Sequence, residues 1–302
     1  MPRTDMMHTS TPRRWFPYLL LVVSAASWGA NWAVARAALQ EIPPFALVFW
    51  RLLFACIILF PFAARHLRGD LPVAVQHWGW ISFFGIAGVA GFPMLGYLGL
   101  HYTTATNAAL LNTSVPLFMV PMAWLVLGHT VRRLQLAGLA LSLAGALTIV
   151  SAGEPAAIVS LSLNPGDLLI LLAVALWALY TVLLHHRPRM HSLSFLFFTL
   201  VAGLVFCVPF YAFELLSGAT GILTGRLAAA IAYLALFSSI VAYVCWNHAV
   251  PLVGPNVAGF FNPLVPVFGT LSAVLILGEQ IHGYHLAGFV LVLGGVFLTS
   301  KT

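Results

Sequence analysis

Over 302 residues the chain is 61% hydrophobic and only 7% charged, against roughly a quarter charged in soluble domains. Such a surface could not be solvated by water, so lipid is the expected solvent. The net charge of +6 is carried by few, scattered residues, which excludes a nucleic-acid-binding face.

A helix needs about 20 apolar residues to cross the hydrocarbon core. With proline, glycine and charge as boundaries, spans are expected near 17–39, 44–64, 77–100, 105–127 and 133–152, then 165–186, 191–216, 227–249, 255–277 and 283–300. The first run follows Arg13 and Arg14 but is too long for a signal-peptide core, so it reads as a retained helix. Connections are short, and the segment 151–164, with Gly153, Glu154 and Pro155, is the longest polar interruption. Cys56, Cys207 and Cys245 sit inside apolar runs without CxxC spacing and indicate neither a disulfide framework nor a metal site.

Basic residues orient such a chain. With the N-terminus inside, the cytoplasmic side collects ten: Arg3, Arg13, Arg14, Arg65, Arg68, Arg132, Arg133, Arg187, Arg189 and Lys301. The other side receives two, Arg36 and Arg226, and Arg51 lies within a span. The split requires an even number of helices with both termini cytoplasmic.

A repeat at an offset of 150 is visible from Ala108 to Gly145, with 15 identities in 38 ungapped positions. Asn112, Val115, Pro116 and Phe118 fall on Asn262, Val265, Pro266 and Phe268, and Leu136-Ala137-Gly138 falls on Leu286-Ala287-Gly288. Trp28 matches Trp177 at an offset of 149. Five helices is an odd number, so the second copy must enter the membrane from the opposite side. The expected fold is all-α and integral to the membrane: ten transmembrane helices as two five-helix inverted-topology repeats, 1–152 and 153–302. Inverted repeats are a common architecture of carriers.

Several residues are candidates for a substrate path. Pro116, Pro121, Pro263 and Pro266 cluster in the repeated element, and breaks in the helix ladder should face protein or a water-filled cavity. Asn112 and Asn262 beside them either line that cavity or satisfy the broken backbone, and the two readings are compatible. Arg51, the one charge well inside a span, is either functional or snorkels to the interface. His101 and His248 at span ends are either proton couplers or interfacial anchors. Trp28, Trp32, Tyr97, Trp177, Tyr180, Tyr243 and Trp246 lie at depth and suit a flat or amphipathic organic solute, with helix packing the competing reading. Asn31 and Asn107 complete the expected cavity. Trp15, Trp78, Trp80 and Tyr284 read as interfacial belt residues.

The single lysine, Lys301, excludes a GxxxxGK[ST] phosphate loop and so a primary pump. All seven acids fall at or beyond span ends, which argues against an intramembrane enzyme and weakens a carboxylate proton relay. A channel fits poorly with opposed proline breaks.

Trp28-Gly29, Phe49-Trp50-Arg51-Leu52-Leu53-Phe54-Ala55, the Pro116 and Pro266 elements, and the endings Leu277-Gly278-Glu279 and Leu286-Ala287-Gly288 resemble the drug/metabolite transporter superfamily, specifically its tandem EamA-domain carriers. The likeness covers essentially the whole chain in two copies, and His129 departs from it where the second copy has Glu279. The resemblance implies a ten-helix carrier of the cell inner membrane, with the fifth and tenth spans peripheral to a central cavity, that exports small metabolites, amino acids among them. The aromatic-rich spans resemble those of aromatic amino acid exporters. No cofactor is expected, and the partners are a small-molecule substrate and the bilayer. Facilitated export or exchange is the expected mode, with proton-coupled antiport the alternative.

Overall fold

The computed structural model describes residues 15–154, 164–219, 221, 224–277 and 280–300, and within them the chain is helical without strands. Arg3, Arg13, Arg14, Gly278, Glu279 and Lys301 lie outside the described residues, as does most of the segment between the two copies. Seven helices are long and apolar enough to cross a membrane: α1 (Phe16–Ala38), α2 (Pro44–Gln76), α3 (Trp78–Gly99), α6 (Arg133–Val150), α7 (Pro165–His186), α8 (Ser192–Leu216) and α9 (Gly225–Val253). The rest of the bundle is made of α4 (Ala105–Asn112), α5 (Val115–Leu127), α10 (Pro255–Gly259), α11 (Leu264–Leu277) and α12 (Gly283–Ser300).

Local chemistry sets the ends. Pro165 opens α7 behind a reciprocal cap in which Asn164 Oδ1 accepts the Asp167 amide at 3.0 Å and Asp167 Oδ2 accepts the Asn164 amide at 3.1 Å. Gly128 closes α5 at φ 67°, a left-handed position that glycine occupies without strain. Helix α2 corrects the expectation of an end near 64, since it continues to Gln76 through Arg65, Arg68 and Pro72. Charges mark where the hydrocarbon stops, but the helix ladder continues in water because its charged side chains are solvated there. α9 likewise runs past 249 to Val253.

The packing follows the repeat. α1 packs on α9 and α11, and the repeat-equivalent α7 packs on α3 and α5. α2 packs on α9 as α8 packs on α3. Two further pairs join repeat equivalents directly, α2 with α8 and α6 with α12. In the second pair Gly138 lies against the Gly295 carbonyl and Gly145 against that of Gly288, so the two helices run antiparallel. A Cβ on Gly145 would stand 2.6 Å from that carbonyl oxygen, so the backbones approach this closely only because the side chain is hydrogen. The Ser142 hydroxyl donates to the Val292 carbonyl at 3.3 Å within the same seam. α2 and α8 are antiparallel too: Phe45 meets Cys207 near the start of α2, and His66 stacks on His191 near its far end.

Polar contacts hold the end of the bundle at which α2 and α7 begin. Glu214 accepts the amides of Phe45 and Ala46, Thr103 donates to Asp167 at 2.7 Å, and Thr224 bonds Glu41. Arg36 donates to the Leu100 carbonyl at the end of α3. At the opposite end Arg187 donates to the Asn247 carbonyl of α9 at 2.7 Å, the matching arrangement in the second copy.

Candidate functional site

Proline positions explain the interrupted helices. An amide normally donates to the carbonyl four residues back, and proline has none to give. Pro116 therefore withholds a donor from the Asn112 carbonyl, and the chain turns at Thr113 and Ser114 between α4 and α5. In the second copy Pro263 and Pro266 withhold donors from Gly259 and Asn262, and 260–263 form the turn between α10 and α11. The Gly259 carbonyl instead accepts the Asn262 amide at 3.0 Å and Asn262 Nδ2 at 3.3 Å. The Asn262 carbonyl accepts Val265 N at 2.9 Å. One asparagine thus satisfies its own broken backbone while lining the cavity, as both readings of it allowed. Pro121 lies apart, exposed within the uninterrupted α5. Its withheld donor opens no turn there.

The two asparagines face a central cavity of about 30 Å³, room for a water molecule or two. Its walls are aromatic: Trp28 and Trp32 of α1, Phe92 of α3, Trp177 of α7 and Tyr243 of α9. Trp28 and Trp177 meet edge to face with ring centroids 5.1 Å apart, and Tyr243 stands 5.9 Å from Trp28. The polar atoms of Trp28 and Tyr243 are paired inside the protein, as buried tyrosine and tryptophan usually are. Trp28 Nε1 donates to the Ser238 carbonyl at 3.1 Å and the Tyr243 hydroxyl to the Gly88 carbonyl at 2.7 Å.

The remaining wall holds Arg51 and Asn31. Arg51 is only 3% exposed, so it does not snorkel. Its Nε and Nη2 donate to Ser239 Oγ at 3.0 and 2.8 Å, and its Nη1 to the Tyr97 hydroxyl at 2.6 Å. Tyr97 in turn donates to Asn31 Oδ1 at 3.2 Å. Ser239 is itself held, donating to the Leu234 carbonyl five residues back at 2.9 Å. That reach follows from the π-helical stretch Leu234–Val241 in α9, whose counterpart in α3 is Gly85–Gly91. Single-turn π segments of this kind are frequent at functional sites.

The structure thus brings Trp28, Asn31, Arg51, Asn112, Trp177, Tyr243 and Asn262 to one cavity, with Tyr97 directly behind Arg51. Tyr180 and Trp246 form the layer behind Trp177. Tyr180 stacks on it at 5.1 Å and donates to Asn247 Oδ1 at 2.7 Å, while Trp246 Nε1 donates to Thr181 at 3.2 Å. His101 and His248 are not brought there. Both are exposed, His101 beside Tyr102 and His248 against Phe16. The side chain of Asn107 lies outside the described residues. Trp32, one of the aromatic residues expected at depth, lines the cavity too, whereas Phe92, Val265 and Ser239 are not among the sequence candidates. Only Ser239, in the Ser238-Ser239 pair amid an apolar span, left a polar signal that could have found it.

The model of the EamA-like transporter family matches the chain twice, over residues 15–151 and 164–301. The chain belongs to the EamA-like transporter family. Among its EamA relatives is a transporter of Archaeoglobus fulgidus, 31% identical over 286 residues that cover 94% of this chain and 96% of the relative. A protein named as a probable amino-acid metabolite efflux pump of Salmonella typhimurium is 27% identical over 301 residues, covering 94% and 93% of the two chains. A crystal structure 19% identical superposes with a TM-score of 0.77 over 93% of this chain and 95% of its own, a likeness of fold. Membership makes this a multi-pass membrane transporter rather than an enzyme, with a small-molecule substrate.

Proposed function

We propose that this EamA transporter exports amino acids or their metabolites, aromatic and hydrophobic ones foremost, by alternating access between two inverted five-helix halves. The halves are 1–152 and 153–302, and together they cross the inner membrane ten times with both termini in the cytoplasm. The observation that carries the reading is the antiparallel packing of repeat equivalents, Gly138 on Gly295 and Gly145 on Gly288. Two copies of one sequence element that lie side by side in opposite directions are what an inverted duplication produces, and exchanging the conformations of such halves moves access from one face to the other.

Further support comes from the two broken helices, whose asparagines meet at one cavity between the halves. α4 with α5, and α10 with α11, then each make one crossing. The aromatic walls suit an apolar side chain, and the Salmonella relative's name points to amino-acid metabolites. No Asp, Glu or His of the described residues lines the cavity, which favours facilitated diffusion or exchange over proton antiport.

Counterflow of labelled amino acids into proteoliposomes, with and without a pH gradient, tests the proposal. Saturable, gradient-indifferent exchange is expected. Flux that tracks the pH gradient would replace exchange with antiport, and unsaturable conductance would overturn the carrier reading.

A further inference from the structure

We infer that Arg51 is the anchor for a substrate carboxylate, so that the transported species must carry one. The inference rests on the exporter reading above and narrows it to a chemical class.

A guanidinium keeps its charge at any physiological pH and presents five donors in a planar fork. Burying such a charge is costly unless an anion or a full set of acceptors compensates it. Arg51 is buried, yet none of the described acidic residues pairs with it. Asp167 bonds Thr103, Glu214 bonds the amides of Phe45 and Ala46, Asp70 accepts the His191 amide, and Glu41 bonds Thr224. What Arg51 has instead are two neutral hydroxyls, those of Ser239 and Tyr97. The hydroxyls hold the fork in place at the cavity wall without neutralising it. The position is stocked with a charge and lacks its counterion.

A second observation on the same cavity points to a ligand independently. Asn112 is 8% exposed, lines the cavity, and its side-chain amide has no hydrogen-bond partner among the described residues. An unpartnered amide and a guanidinium without a counterion at one cavity of about 30 Å³ are matched to a polar head group. Trp28, Trp32, Phe92 and Trp177 would have to part to admit the apolar remainder of the solute. A carboxylate fits Arg51 best, because its two oxygens match the guanidinium fork and each bond is charge-assisted. Ser239 and Tyr97 are positioning residues in this scheme.

The test uses the full chain in proteoliposomes and three matched sets of labelled probes: L-amino acids, the amines formed by their decarboxylation, and the corresponding acids without the amino group. Wild type is expected to carry the first and third sets at least about tenfold better than the amines, the factor that about 1.4 kcal/mol supplies. Arg51→Gln should bring amines and carboxylates within about threefold of each other, and Arg51→Lys, a point charge without the fork, should retain part of the preference. Ser239→Ala should weaken the preference without abolishing it. Amines carried as well as amino acids by wild type would overturn the inference and leave the exporter standing, as would an unchanged preference in Arg51→Gln. No saturable flux of any probe would overturn the exporter reading and this inference with it. Should Arg51→Gln fail to fold, the wild-type comparison and Arg51→Lys still decide the matter.

Discussion

Glu214, near the end of α8, caps the first turn of α2: one carboxylate oxygen accepts the Phe45 amide at 3.0 Å and the other the Ala46 amide at 2.7 Å. The contact joins the two copies at the end of the bundle that lies outside in the proposed topology. Pro43 and Pro44 precede the cap, so the first free amides of α2 fall where Glu214 can reach them. A negative charge also suits the positive end of the helix dipole. Glu214→Ala removes both acceptors and is expected to cost about 1–2 kcal/mol, with Glu214→Gln intermediate. The thermal unfolding midpoint of the purified protein measures this, and an unchanged midpoint in Glu214→Ala would show that the cap contributes nothing.

The seam between α6 and α12 predicts a steric effect. A Cβ on Gly145 meets the Gly288 carbonyl oxygen at 2.6 Å and Leu291 Cβ at 2.7 Å, and both helix backbones are too stiff to yield locally. Gly145→Val should therefore force the pair apart, at about 1–3 kcal/mol for overpacking. Gly69 has open space around it, so Gly69→Ala is the matched control. A lower melting midpoint for the first and none for the second is expected.

Inversion itself is open to a labelling test. His129 and Gln280 occupy nearly equivalent positions in the two copies, after α5 and after α11, and both are exposed. With Cys56, Cys207 and Cys245 replaced by serine, cysteine is introduced at one of the two sites at a time. A membrane-impermeant maleimide should label Gln280→Cys in intact cells, and His129→Cys only after permeabilisation. Labelling of both from the same side would mean that the copies are parallel.

Much of this fold was legible because hydrophobic length and basic-residue bias are properties of contiguous sequence. The expected spans at 105–127, 165–186, 255–277 and 283–300 coincide with the helical segments found there, the first and third of these interrupted. Where the sequence reading erred, a local mark was taken for a structural event. Arg65 and Arg68 signal the edge of the hydrocarbon and not the end of α2. Pro121 belongs to the repeated stretch but lies mid-helix, whereas Pro116 sits in the first turn of α5, just past the break. The cavity was legible through its asparagines and tryptophans because the repeat picks them out. The partner of Arg51 was not, since Ser239 is 188 positions away and meets it only through the packing of α2 on α9. His101 and His248 drew attention as titratable groups near span ends, and packing leaves both on the surface.

Exchanging Tyr97 for phenylalanine isolates the scaffold of the buried charge. The phenol accepts from Arg51 Nη1 and donates to Asn31, so Tyr97→Phe leaves one guanidinium nitrogen and one amide oxygen without their bonds. Unmade buried bonds of this kind cost about 1–3 kcal/mol each. Ser239 still holds the other two guanidinium nitrogens, so Arg51 should keep its place with more freedom. Apparent substrate affinity is expected to fall while maximal flux changes little, and equal losses in both would point to general destabilisation instead.

Pro116 offers the sharpest contrast between stability and function. Its missing amide leaves the Asn112 carbonyl without the donor that would continue α4 into α5, and the turn at Thr113 and Ser114 follows. Pro116→Ala supplies that donor. In the surrounding apolar bundle the chain gains a hydrogen bond and a better helix former, so a continuous helix over 105–127 becomes favourable. Straightening it turns Asn112 away from the cavity it now faces and stiffens one of the two broken elements on which the proposed alternation of access relies. The variant should melt at the same temperature as wild type or higher, yet transport about tenfold more slowly or worse, a barrier increase of roughly 1.4 kcal/mol. A break retained for structure alone would give the opposite pattern, a lower midpoint with flux per folded molecule unchanged. Measuring both quantities on one preparation separates a hinge from a packing defect.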